Sequence, residues 1–313
     1  MEETMWFSPL DYLLGEYQEI KPPIMTHMGL LDEMLGGGWS AGMWAIMAAP
    51  GTGKSAFGLF NVLLAAFAGV PCAYFSLEMT AAQCWHRLAS AYSTTGGAAS
   101  FGVQPFKWSS ITAFSVATQR AMKSEHVGIL EMADRDPFVK MTMIMTREKI
   151  DGTDKPLQMM IASDAKLRNI TGLLGAMDEA HSMGCRLIVI DYLQLISTGG
   201  TGSQYEDLTE ISHAIAGKAS ELGIPVLVIC SMNRESMKGQ AKPTMHDASG
   251  TAAIEYDATG VISLKVLEEE STQDVRRIEA RVHKNRAGLS GAAVVFDYQP
   301  GFNFFQAVRR ADE

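Results

Sequence analysis

Residues Ala48, Ala49, Pro50, Gly51, Thr52, Gly53, Lys54 and Ser55 stand between the apolar run Met43–Met47 and an apolar helical run beginning at Ala56. On a turn from strand to helix, the pattern G-x-x-x-x-G-K-[S/T] is a cradle for a polyphosphate. Its glycines let successive backbone N–H groups face the phosphates, and the start of the helix adds its positive dipole end. Lys54 would neutralise the β- and γ-phosphates of ATP, and the Ser55 hydroxyl would ligate Mg²⁺. Ala48 replaces the first glycine of the pattern. A chance glycine turn is the alternative, and the strand-to-helix setting argues against it.

Two other apolar runs end in an acid. Arg186-Leu-Ile-Val-Ile-Asp191 reads as a buried strand whose carboxylate emerges at its C-terminal edge, where it would hold Mg²⁺ directly or through water. Such a strand is common by itself; its position behind a phosphate loop in an α/β chain is what points to a metal-side acid. The second run, Tyr74-Phe-Ser-Leu-Glu78-Met79, follows the first helix after the glycine turn. Glu78 at a strand end beside a nucleotide suits a base that orients the attacking water. It also precedes a helical segment at 80–93, where an acid favours the helix dipole. Spacing alone leaves both roles open. Lys284 and Arg286, within His283-Lys-Asn-Arg-Ala-Gly288, would share one face of a strand. Two cations on one face can stabilise charge developing on a phosphate. A solvated basic turn is the alternative, and the residues alone favour it.

The elements that must position these groups alternate along the chain. Strands are expected near 43–48, 71–76, 186–191 and 225–230, with helices near 54–69, 80–93, 164–183 and 205–222. Short apolar strands separated by helices imply an α/β fold: a mostly parallel, twisted sheet with helices on both faces. Segments near 260–267, 275–284, 291–297 and 302–306 are strand-rich, so antiparallel hairpins should extend the sheet. Residues 94–160 carry little signal beyond loop markers at Gly96-Gly97 and Asp151-Gly152, with room between them for a helix and a hairpin. Residues 5–20 place Trp6, Leu10, Leu13 and Tyr17 at helical spacing before Lys21-Pro22-Pro23 breaks the helix. The domain expectation is an amphipathic arm and linker at 1–24 and one catalytic unit at 25–313.

Composition narrows the classes. The 313 residues are 47% hydrophobic and include 20 methionines, ample material for a core with pliable filling. Neither a membrane-length apolar run nor a leader pattern occurs, so a cytoplasmic protein without membrane contact is expected. Cys72, Cys84, Cys185 and Cys230 lack paired metal-type spacing and should be reduced core thiols. A net charge of −9 argues against a coat of DNA-binding charge, though screening at a range of about 8 Å leaves room for a local basic channel.

Taken together, the motifs resemble the motor domain of DnaB-type replicative helicases, within the RecA-like P-loop ATPases. The glycine turn is similar to theirs, alanine in its first position included. Phe75-Ser-Leu-Glu-Met79 with Gln83 and Arg87 is similar to their second motif, whose glutamate is the catalytic base; the resemblance implies that role for Glu78. Ile190-Asp-Tyr-Leu-Gln-Leu195 resembles their Mg²⁺-aspartate motif, and Glu210-Ile-Ser212, Ser231-Met-Asn-Arg234 and Ile254-Glu-Tyr-Asp-Ala258 fall in matching order. Lys284-x-Arg286 resembles the basic pair that reaches across to the neighbouring subunit's nucleotide. The likeness covers about residues 25–300. It implies an ATP- and Mg²⁺-dependent, 5′-to-3′ helicase working on single-stranded DNA as a homo-oligomeric ring, hexameric, with a loader or primase as partner.

Several positions depart from the family pattern. Its N-terminal helical domain is expected to be missing, with only the arm 1–24 ahead of the motor. Ser231 stands where the family has a sensor glutamine. In the loop that grips the DNA backbone, the usual Arg-Glu pair falls on Ser249 and Gly250, leaving Arg234, Lys238 and Lys242 as the nearest cations. Backbone N–H groups and hydroxyls can still hold phosphates there. A RecA-fold regulatory or assembly ATPase, similar to the KaiC or RadA groups, therefore stands as the alternative function. A small-molecule kinase is a third reading, without a use for the Lys284/Arg286 pair.

Overall fold

The computed structural model describes residues 21–100, 102–111, 137–147, 158–200, 203–231 and 252–311. In chain order, α1 (Leu30–Leu35) leads to β1 (Gly42–Ala48), the glycine turn and α2 (Lys54–Phe67), then β2 (Cys72–Ser76), α3 (Ala81–Ser93) and the short α4 (Gly96–Ser100). Next come α5 (Pro137–Arg147), β3 (Met159–Ala162), a 3-10 turn Ala165–Arg168, α6 (Ile170–Ser182), β4 (Leu187–Asp191), α7 (Gln204–Leu222) and β5 (Pro225–Ser231). The last described strands are β6 (Gly260–Val266), β7 (Arg276–Asn285), β8 (Ala293–Gln299) and β9 (Phe304–Arg310).

The strands form one sheet in the order β3-β2-β4-β5-β1-β6-β7-β8-β9. β3 through β6 pair in parallel, and β6 through β9 pair antiparallel. β1, β2 and β4 are buried along their whole length, as strands covered on both faces must be. Alternation then divides the core in two. Trp44, Ile46 and Ala48 face α2 and α3, whereas Met43, Ala45 and Met47 face α6 and α7. At Gly58 an added Cβ would lie 2.8 Å from Ile229 Cδ1, so the missing side chain sets how closely α2 approaches the sheet. The same helix reaches the antiparallel end through Phe57, edge-on to Phe296 and Phe305.

The α/β architecture with antiparallel C-terminal strands is the expected one, with ends shifted by a few residues. One helix is corrected. The expected run at 164–183 splits at Asn169, whose Oδ1 accepts from Thr171 N and Gly172 N and caps α6 afresh. The preceding 3-10 turn has its own cap, Asp164. α1 and β3 were not foreseen, being six and four residues long. Within 94–160, helix α5 is present, and the loop expected at Gly96-Gly97 is corrected: the two glycines begin the short helix α4; the rest of that stretch is only partly described. The arm at 1–20 lies outside the described residues, and Ile24 already belongs to the domain, pairing with Trp39 through two backbone hydrogen bonds of 2.9 and 2.7 Å. Eight methionines, among them Met43, Met47 and Met177, are buried core filling. All four cysteines are buried and free; burial pushes the Cys185 thiol up to about 11 and Cys230 to about 12. No helix among the described residues is long and apolar enough to cross a membrane.

Candidate nucleotide site

The glycine turn leaves the C-terminal end of β1 and enters α2 as expected. Gly53 is the N-cap of α2 at φ 111°, and an added Cβ would sit 3.0 Å from the Tyr298 ring. The positive φ favours glycine at this position, and a side chain there would also press on the Tyr298 ring. No side chain caps α2, so its first N–H groups are free for an anion. Lys54 Nζ donates to Ala49 O at 3.0 Å and thus lies folded along the loop. Burial lowers the Lys54 pKa, and the nearby Asp191 and Glu78 carboxylates pull it back up.

Asp191 ends β4 beside this loop and is 1% exposed. Burial raises its pKa; hydrogen bonds from Tyr74 and Ser55 act the other way. The Tyr74 hydroxyl donates to Asp191 Oδ2 at 2.5 Å, whereas Oδ1 is buried without a hydrogen-bond partner. A buried carboxylate oxygen left unsatisfied is unfavourable unless a cation or donor arrives to fill it. Glu78 lies just past the end of β2 and is exposed toward the same cleft. α3 takes its cap elsewhere: Thr80 and Gln83 form a reciprocal capping box, and no acid lies in the first turn. Glu78 is therefore outside the range in which a helix dipole acts strongly, so the helix-acid role has lost its main support.

The cleft has a volume of about 440 Å³ and brings together Gly51, Lys54, Ser55, Glu78, Asp191 and Ser231. The remaining loop residues fall in place around them: Pro50 and Gly53 line the cleft, Ala49 supplies the carbonyl to Lys54, and Thr52 is buried behind it. Three further residues line the cleft and a fourth, Arg276, touches its glycine turn, none having been singled out as site residues. Arg276 on β7 donates to Gly51 O at 2.7 Å. Tyr298 stacks on Phe305 with its ring beside Gly53. Arg87 lies over the Trp108 ring at 4.8 Å, and Trp108 Nε1 donates to Pro300 O at 2.9 Å. Arg87 had a signal in its motif. The others depend on pairings that only the folded sheet creates. Ser231 is held by Gln194, whose amide donates to Ser231 O at 3.0 Å and accepts from Ser231 N at 3.1 Å.

Lys284 and Arg286 are not in this cleft. Lys284 pairs with Val261, which is level with Ala45 of β1, and Arg286 N donates to Thr259 O farther back. Lys284 is thus level with the middle of β1, and Arg286 lies toward the end of the sheet remote from the glycine turn. The expected shared strand face is corrected: β7 ends at Asn285, so Lys284 is on the strand and Arg286 begins the turn after it. Nor is the turn free in solvent. Lys284 Nζ donates to Glu255 O at 2.6 Å and Tyr256 O at 3.1 Å, and Arg286 donates to Tyr256 O at 2.9 Å. These carbonyls end the short helix at 252–257, a place that favours cations. Burial, and then the neighbouring Arg286, lower the Lys284 pKa. The helix is tied to α7 through Asp257, which accepts from the Ser212 hydroxyl at 2.6 Å and pairs with His213 at 2.7 Å. Arg234, Lys238, Lys242, Ser249 and Gly250 lie outside the described residues.

Residues 23–307 match the family model for the DnaB-like helicase C terminal domain. The replicative DNA helicase DnaB of Geobacillus stearothermophilus is 27% identical over 298 residues, covering 93% of this chain and 58% of that protein. DnaB of Leifsonia xyli is 27% identical over 242 residues, 75% of this chain and 44% of the relative. The chain therefore spans about half the length of these curated relatives. Among solved structures, an ATPase domain of matching length superposes with a TM-score of 0.66 at 19% identity, covering 96% of both chains. A DnaB-like replicative helicase, studied with its primase interactions, gives 0.68 at 18% identity, covering 96% of this chain and 67% of that one. A KaiC-like protein of Pyrococcus horikoshii gives 0.55 at 15% identity, covering 92% and 99%. All three share the RecA-like fold.

Proposed function

With most of its length matched, the chain belongs to the DnaB-like helicase C-terminal domain family, and from that premise we propose that it is the ATPase motor of a DNA helicase. The observation that carries the proposal is the division of charged groups between two edges of one sheet. Lys54, Ser55, Glu78 and Asp191 meet in a single cleft, while Lys284 and Arg286 lie outside its lining and would serve another copy's cleft. A ring of copies, six by family resemblance, turns that division into complete sites between neighbours.

Two features fit ATP with Mg²⁺. The glycine turn presents uncapped helix N–H groups with open space beside Gly51, and Asp191 Oδ1 awaits a partner. Ser55 and Asp191 would hold the Mg²⁺, which when bound neutralises charge on the β- and γ-phosphate oxygens. Residues 49–55 would wrap the phosphates, with Lys54 leaving Ala49 O to reach them. Glu78 would orient the attacking water and take its proton. Lys284 and Arg286 of the next copy would steady the charge that develops as the γ-phosphate departs. Loss of that phosphate removes what the two cations grip, so the interface relaxes and DNA-facing segments shift. Single-stranded DNA, gripped by the segment holding Arg234, Lys238, Lys242, Ser249 and Gly250, would be drawn through with 5′-to-3′ polarity. The setting proposed is the cytoplasm, with a loader or primase as partner and the unit at 25–313 as the motor behind the arm 1–24.

The regulatory-ATPase reading has less behind it, since the sequence relatives are named replicative DNA helicases. The test compares ATP turnover with and without single-stranded DNA at several salt concentrations, alongside strand separation on a forked duplex. Turnover stimulated by DNA, with unwinding, is expected; a DNA-indifferent rate with an intact fork would transfer the chain to the regulatory class.

A further inference from the structure

The loop that carries Glu78 is pinned from several sides. Leu77 N donates to Asp191 O at 2.7 Å, which joins the ends of β2 and β4. The Ser76 hydroxyl donates to Met79 O at 2.7 Å and accepts from Met79 N at 3.1 Å, closing a tight turn around Glu78. Ser163 Oγ accepts from Ala81 N at 3.0 Å where α3 begins. The Leu77 carbonyl, which forms the peptide bond to Glu78, is held as well. Arg168 takes it with two donors: Nε at 3.2 Å and Nη2 at 2.7 Å.

We propose that Arg168 is a positioning residue for the catalytic base, fixing the 77–78 peptide plane so that the Glu78 carboxylate is aimed into the nucleotide cleft. The inference rests on the reading of Glu78 as base. A forked guanidinium on a single carbonyl restrains rotation of the peptide plane in a way that one flexible donor does not. The segment that bears Arg168 is held by contacts that do not use its side chain. Arg168 O accepts from Ser197 N at 2.8 Å, Ile170 N donates to Ser197 O at 3.0 Å, and Asn169 caps α6. Removing the guanidinium should thus free the Glu78 turn while leaving its support standing. Arg168 is 91 residues from Leu77 and belongs to no motif recognised in the sequence.

The experiment measures kcat and KM for ATP, over a range of pH, in the full chain carrying Arg168→Met, Arg168→Lys or Glu78→Gln. Misplacing a reacting group by about 1 Å is worth up to roughly 100-fold, so kcat of Arg168→Met should fall about 10-fold to 100-fold. KM should stay within about twofold, because phosphate contacts made equally in ground and transition states are untouched. Arg168→Lys, which restores a donor, should recover much of the loss, and the acidic limb of the pH profile should not move. A wild-type kcat in Arg168→Met, beside an inactive Glu78→Gln, would overturn the positioning role and spare the base. A shifted acidic limb would overturn it in favour of a through-space charge effect. A raised KM at unchanged kcat would make Arg168 a nucleotide contact instead. Wild-type turnover in Glu78→Gln would remove the base assignment itself. Nucleotide affinity of each variant, measured without turnover, separates all of these from a failure to fold.

Discussion

The two edges of the sheet hold their charges in opposite ways. At the glycine-turn edge, Asp191 is buried at the end of a strand, and the half-buried Lys54 begins a helix packed on the same sheet. Their protonation equilibria are displaced mainly by burial. At the far edge, Lys284 and Arg286 rest on main-chain carbonyls at the end of a short helix, with Arg286 exposed. A neutral carbonyl is a weaker partner for a cation than a phosphate oxygen, whose opposite charge adds Coulomb attraction to the hydrogen bond. The cleft is thus preorganised by folding, while the pair rests on neutral main-chain acceptors.

The sharpest break in that comparison comes from separating the edges onto different copies. Arg286→Ala should lower ATP turnover by about 10³-fold or more, the range for an arginine supplied from a neighbour. Lys54→Ala should be as inactive by itself. Mixed together, the two variants should regain measurable turnover, because some interfaces then join an intact cleft to an intact pair. If mixtures stay inactive while each variant assembles normally, the far edge does not serve a neighbouring cleft.

A smaller effect tests whether the cleft holds its charge at the expense of stability. Burial raises the Asp191 pKa above its ordinary 3.8. A carboxylate so shifted is uncompensated when ionised: the disadvantage is absent below the unfolded-state value and fully present above the folded one. Asp191→Asn keeps an oxygen for Tyr74 and removes the buried charge. At neutral pH and without metal it should melt higher than the parent, by roughly 2–4 °C if the relief is about 1 kcal/mol in a chain of this size. The gap should close as pH falls through the raised folded pKa toward 3.8, where the parent carboxyl also becomes neutral. Mg²⁺ with ATP should stabilise the parent and leave the variant nearly unmoved. A variant that melts lower at neutral pH would mean that the ionised carboxylate is well compensated in the folded chain.

Both edges carried local signals that could be read before folding. A glycine turn between two apolar runs, and an acid at the end of a strand, are features of consecutive residues. What could not be read lies between distant positions. Arg276 meets Gly51 across 225 residues, Trp108 meets Pro300 across 192, and Tyr74 meets Asp191 across 117. Each depends on strand order, and β7 reaches the glycine turn only because β6 crosses over to pair with β1. The edge strand β3 is four residues long, and only its first residue is buried. All four of its residues are apolar, but a run that short cannot be told from a helix segment by periodicity. The split of the expected 164–183 helix was within reach, since Asn169 is a strong cap residue, but the apolar spacing on both sides masked it.

The smallest predicted effect separates holding a helix from doing chemistry within the cleft edge itself. Thr80 and Gln83 close α3 reciprocally, while Glu78 stands two residues ahead of the cap and takes no part in it. Thr80→Ala removes the cap side chain and should cost about 1 kcal/mol of stability, the usual loss for such a cap. Its effect on kcat should be under about threefold, because Ser76, Asp191 and Arg168 continue to hold the Glu78 turn. Glu78→Gln should do the reverse, leaving the melting temperature nearly unchanged while turnover drops by about 10² to 10⁴. Paired melting curves and turnover rates check both variants together. Were Thr80→Ala to reduce turnover as strongly as Glu78→Gln, the start of α3 and the turn before it would move as one body. The fixed geometry at this edge would then come from the helix and not from the ties across the sheet.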